Sequence, residues 1–395
     1  MSGTGIFGKR VAHVASSVSN LELLLDLVFV FTIIQVTEVV VEHPDWEGLG
    51  EALALLALVF YMYGGYIWLM NQTAPDTVPV RIALIAAMAT FLVIAAAIPH
   101  AFGETRLVFG VAYLVVVIIH HTLFVVLGSS GNIRGILRVG PFNLLAAIVL
   151  VVGGFASESL AWVFYPAAIL IILIGTTRPG RGAFDLGATH LIERHGLLMI
   201  IALGESIVAV GSGAAAMKLD VPVIAFAVLA VGVVGGMWWV YFAGDDGLTE
   251  QHFRGEGASR RQSLAITAFF GDHLGMMFGL VVFAAGIRLV VPSLGSPPSF
   301  PASVFMGGGV ALFLGGSALF RGELHLGGSL PRVAGSVLAI GIGALGIVVN
   351  PLIDLALLLV VVIATCAAAS QRRWRPPIGD GSTTTGSTSA ESATQ

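Results

Sequence analysis

Charge is scarce in this 395-residue chain. Asp, Glu, Lys and Arg make up 11% of it, against roughly 25% in typical globular domains. A soluble globule of 41 kDa needs a polar coat that so few residues are unable to supply, which excludes an ordinary soluble protein. Positive charge is not in excess either. The formal net charge is −4, so no basic surface points to a nucleic acid as partner. The single cysteine, Cys366, lies in an apolar run, which excludes an internal disulfide framework and any Cys-based metal cluster. The phosphate loop G-x-x-x-x-G-K-[ST], the G-x-S-x-G elbow and the H-E-x-x-H metal helix are all missing. No metal site is expected, and the sequence names no cofactor.

Hydrocarbon is what the chain has. Apolar residues make up 56% and glycines number 50, with a mean hydropathy of +0.94. Such a chain has the lipid bilayer as its solvent and partner, and the fold class is an all-α, polytopic membrane helix bundle. Apolar stretches of spanning length number twelve, at 21–41, 50–70, 81–98, 107–127, 141–156, 160–176, 194–213, 221–243, 263–288, 303–321, 333–349 and 351–370. The first has no signal-peptide layout, so an uncleaved first helix is expected.

Basic residues orient these spans. With a cytoplasmic N-terminus and strict alternation, 16 Lys and Arg fall inside and only Arg106, Lys218 and Arg288 outside. Both termini are therefore expected inside, in a bacterial cytoplasmic membrane. The six tryptophans fall near span ends, where an indole suits the interface. A faint repeat aligns Glu22 with Glu193, Trp68 with Trp239, Arg81 with Arg261 and Arg138 with Arg332, at offsets that grow along the chain. It predicts a parallel 6+6 duplication: an N-terminal segment 1–20, halves 21–178 and 179–371, and a Ser/Thr/Gly-rich tail 372–395.

In lipid, the informative side chains are the ionisable ones. Glu22 and Asp26 share one helical face in span one. Glu205 lies eleven residues into span seven, a depth of roughly 16 Å. Asp272 and His273 reach a similar depth in span nine, and His120 and His121 lie in the inner third of span four. Carboxylates there persist only if neutral, paired or wet, and a chain of them with histidines passes protons or holds a cation. Interhelical hydrogen bonding is the competing reading for each. Glu38, Asp354 and His100 are close to span ends, where the structural role wins. Gly271, Gly275 and Gly279, and Gly232 with Gly236, carry the G-x-x-x-G spacing of close helix packing. Gly307 to Gly309 are read as a bend or thinned wall, and Gly204 as a break in span seven. Residues 244–261 read as a solvated loop and a candidate gate.

Three stretches resemble the low temperature requirement protein A family of bacterial membrane proteins. They are Glu22 to Phe31 continuing to Gln35, Asp76 to Pro79 with Arg81 and on to Gly103, and His190 to Leu197 followed by Gly204-Glu205-Ser206. The sequence departs from the family pattern at Leu24 and Leu25, where aromatic residues are usual, and at Glu38, an added acid. The resemblance implies a bacterial membrane protein connected with growth in the cold, and it implies no established reaction.

The expected function is a transporter or ion-translocating protein whose cargo is an ion or small solute of unknown identity. Glu205, Asp272 and His273 form its midplane site, with Asp26, Glu22, His120 and His121 as inner members. Glu193, Arg194, His190, Arg81 and Asp76 form an inner gate or ion-pair network. Two alternatives stand beside it. One is an intramembrane enzyme on an apolar substrate, with Glu205 or His273 as general acid or base; the other is a sensor or scaffold. Of these classes, an enzyme is disfavoured. A homo-oligomer is compatible with every reading.

Overall fold

A computed structural model describes residues 20–72, 77–128, 130–177, 188–242, 246–294 and 298–371. The described chain is helical almost throughout and contains no strand. Lipid offers the backbone no hydrogen-bond partner, so apolar segments close their N–H and C=O groups internally as helices. The helices are α1 (Asn20–Glu42), α2 (Trp46–Gln72), α3 (Val78–Ala97), α4 (Arg106–Leu127), α5 (Ser130–Gly154), α6 (Ala161–Thr177) and α7 (Ala188–Ala215). They continue with α8 (Val221–Phe242), α9 (Asp246–Gly255), α10 (Ala258–Ile266), α11 (His273–Val290), α12 (Phe300–Glu323), α13 (Ser329–Leu345) and α14 (Pro351–Gln371). Eleven helical stretches are long and apolar enough to cross a membrane, and α13 is a shorter apolar twelfth. All twelve expected spans are therefore helices.

Three boundaries differ from the expectation. Span five is not short, because α5 starts at Ser130 and carries Pro141 inside it. Span seven starts at Ala188 rather than 194, so His190 and Arg194 lie within the helix and not at its mouth. The described part of the expected 244–261 loop is helical, as α9 and the start of α10. Hydropathy marks where lipid begins, while a helix continues for as long as its backbone bonds close.

From α10, a π turn at Thr267–Asp272 leads into α11. Tight helix pairs are built on glycine. A Cβ on Gly309 would sit 2.4 Å from the Phe283 backbone, and one on Gly307 2.5 Å from Gly343. Gly307 to Gly309 thus lie in a continuous α12 pressed between α11 and α13, and they mark no bend. Gly279 faces the Gly309 backbone in the same way, whereas Gly275 touches nothing. Gly204 lies inside an unbroken α7. At the α12–α13 turn, Gly327 and Gly328 both adopt φ +71, a backbone conformation that favours glycine. Buried Arg321 donates to the carbonyls of Gly327 and Leu326 there.

Within the first six spans, α1 packs on α2 and α3, α2 on α4 and α6, and α3 to α6 each on the next. The same sequence of partners recurs in the second six. There α7 packs on α8 and α11, α8 on α12 and α14, and α11 to α14 each on the next. Helices α1, α7 and α11 pack mutually at the centre.

Candidate functional site: buried charge at the α1–α7 contact

Glu22 and Asp26 lie one turn apart on α1 and face His190 and Arg194, one turn apart on α7. Both contacts span 168 residues, so the two helices run parallel and in register. Arg194 is fully buried and grips Asp26 bidentately, with Nη1 donating to Oδ2 at 2.8 Å and Nη2 to Oδ1 at 2.6 Å. Its Nη2 also donates to the Tyr63 hydroxyl at 2.8 Å, and that hydroxyl donates to Asp26. His190 donates from Nε2 to Glu22 at 2.9 Å. The Glu22 carboxylate lies 3.8 Å from the Arg194 Nε. Planar guanidinium matches carboxylate geometry, which is why arginine serves a dry site better than lysine.

A second layer adjoins this one. His195 donates from Nδ1 to the Leu191 carbonyl, and its buried Nε2 makes no hydrogen bond of normal geometry among the described residues. Its ring lies 4.9 Å from that of His273. His273 donates from Nδ1 to the Ala268 carbonyl of the π turn and accepts at Nε2 from the Tyr241 hydroxyl at 2.8 Å. Asp272 is buried beside it, and its Oδ2 has no partner among the described residues.

Glu205 stands elsewhere. Because α7 begins at Ala188, it lies 17 residues along the helix, roughly 26 Å. It neighbours Arg288 and Glu38, which pair at 2.5 Å. Arg288 is 16 residues beyond Asp272, about 24 Å along α11. The expected midplane trio therefore divides: His273 joins His195 and Tyr241, while Glu205 sits with the Arg288–Glu38 pair. Glu205 is 3% exposed, and its Oε2 has no partner among the described residues. Between the two depths lie Phe29, Ile33 and Val36 of α1 and Leu198, Met199 and Ala202 of α7, all buried.

The remaining expected members scatter. Glu193 is exposed on the outer face of α7 and takes no part in the pairing its neighbour makes. Arg81 is exposed at the start of α3, and Asp76 lies outside the described residues. His120 is buried against Tyr66 and Phe124. His121 is half-buried and donates to the Val117 carbonyl. No group of His, Cys, Asp and Glu suited to a metal ion occurs among the described residues.

The residues that meet at Arg194 are the ones that carried the family resemblance, from Glu22 to Asp26 and from His190 to Arg194. A family model, Bacterial low temperature requirement A protein (LtrA), matches residues 17–367. The chain belongs to the LtrA family. It is similar to an uncharacterised protein of Rhizobium meliloti (strain 1021), with 27% identity over 313 residues, 75% of each chain. No solved structure matches it.

Membership in the LtrA family leaves several partners to the tertiary structure. The sequence assigns Tyr63 and Tyr241 no role, because aromatic positions inside apolar helices read as packing, and it sets His195 five residues from His190, which argues against a shared metal site. Glu38, the acid outside the LtrA pattern, has Arg288 as its mate. Asp354, in the first turn of α14, is fully buried against Gly346, and neither carboxylate oxygen has a partner among the described residues. Trp68 is half-buried near the end of α2, as expected of a tryptophan at a span end.

Proposed function

We propose that this LtrA-family membrane protein moves an ion or small solute across the bilayer along the α1–α7–α11 contact. One observation carries the reading. Ionisable groups occur at two depths on the same three helices, with an apolar layer between them, and Glu205 keeps a buried carboxylate oxygen without a partner among the described residues. A permanent charge in a dry core is costly unless paired. An acid left open at such a site is suited to take up and release a proton or cation. The Arg194–Asp26 and His190–Glu22 pairs form the gate on the side of the α1 N-terminus. The recurring helix partners of the two six-helix sets support duplicated halves related by an axis along α1 and α7. The arginine-rich end faces the cytoplasm of a bacterial inner membrane, following the bias of basic residues. Cold tolerance would follow from the cargo this route carries.

Flux measurement in liposomes tests the proposal. Purified protein should dissipate a proton or monovalent-cation gradient, and Glu205→Gln should slow that dissipation by at least ~10-fold, about 1.4 kcal/mol in barrier. Equal rates for the two proteins, both above protein-free vesicles, would remove Glu205 from the path. Rates equal to protein-free vesicles would remove ion translocation itself.

A further inference from the structure

Away from the charged layers, a cavity of about 250 Å³ lies between α2, α4, α5, α6 and the α10–α11 junction. Its wall is largely hydrocarbon and aromatic, with Phe60, Tyr61, Trp68, Phe124 and Phe270 among the lining residues. Leu173, exposed on α6, and Gly271, exposed in the π turn, stand at its rim. Several polar groups in the wall are already engaged. The Tyr61 hydroxyl donates to Asn143 at 3.0 Å, and the Thr176 hydroxyl donates to the Ile172 carbonyl of its own helix. His120 differs. Its side chain lines the cavity and is 3% exposed; its ring lies against Gly65, and neither ring nitrogen makes a hydrogen bond of normal geometry among the described residues.

We propose that this cavity is a binding site for a lipid-soluble phenol, with His120 hydrogen-bonding its hydroxyl and the aromatic wall holding its ring. No Asp or Glu lines the cavity, so a cation would enter it uncompensated. An apolar cavity of about 150 Å³ takes a benzene ring, so this one takes a ring with a short alkyl substituent but not a whole phospholipid. An imidazole presents one donor and one acceptor when neutral, and a phenolic hydroxyl answers either of them. The exposed rim between Leu173 and Gly271 lets such a ligand enter from the bilayer. The site is independent of the proposed ion path, because none of its lining residues belongs to the charged layers.

Equilibrium binding of radiolabelled 4-butylphenol to the full chain in nanodiscs, corrected for empty nanodiscs, tests this. Butylbenzene, which lacks the hydroxyl, serves as competitor. Wild type should bind the phenol saturably and about tenfold more tightly than the arene, the worth of one buried hydrogen bond. His120→Phe keeps a ring of similar size and should erase that preference. Leu173→Trp adds bulk at an exposed position and should abolish binding of both compounds. Absence of saturable phenol binding, equal affinity of wild type for both compounds, or a preference that persists in His120→Phe overturns the proposal. Should His120→Phe fail to fold, Leu173→Trp decides alone, and unchanged phenol binding by it is equally fatal.

Discussion

The two ends of the α1–α7–α11 contact use the same kinds of residue to opposite effect. Near the start of α1, every member of the Arg194 cluster is buried and paired: two carboxylates, a guanidinium, an imidazole and a phenol share five hydrogen bonds, with only the Arg194 Nε and His190 Nδ1 lacking one among the described residues. Farther along, Arg288 and Glu38 pair while still about 30% exposed, and Glu205 beside them is left with an open oxygen. Charge in lipid is thus not one category. A closed network fixes two helices in register, and an open acid next to a half-exposed pair can exchange its proton or a cation.

Arg194→Met should break the comparison most severely, because it strands Asp26 and Glu22 in a dry core. A loss of about 3–5 kcal/mol is expected, visible as a steep fall in the unfolding temperature of the detergent-solubilised protein. Unchanged melting would mean the cluster is wet and the contrast false. Tyr63→Phe removes one donor but leaves the bidentate pair, so a loss of about 1 kcal/mol is expected. A loss as large as that of Arg194→Met would show Tyr63 to be the true anchor. At the other end, Glu38→Gln should cost only about 0.2–1 kcal/mol, since its partner still reaches water. Melting curves of that variant at low and high salt would expose a larger, buried contribution. Glu193→Gln should leave both stability and flux unchanged, and any loss of flux would return this exposed acid to the gate.

Much of this was legible in advance. Twelve apolar stretches became twelve helices because lipid permits little else, and Glu22 with Asp26 on one face was visible from spacing alone. The partner across the contact was less so. The expected inner network placed Glu193 beside Arg194 and His190, yet the helix register brings Glu22 to His190 and turns Glu193 outward. Depth failed for a related reason. Apolarity placed the start of α7 at 194, and the true start at Ala188 carries Glu205 past the middle of the helix.

By itself, the sequence determined the solvent, the number of apolar helical stretches and the family, since these follow from hydrocarbon content and from residues contiguous in the chain. Only the tertiary structure decided which buried charges are satisfied. That depends on the rotation and offset of helices more than a hundred residues apart, which is how His190 and Arg194 reach the carboxylates of α1 while one Glu205 oxygen finds no partner among the described residues.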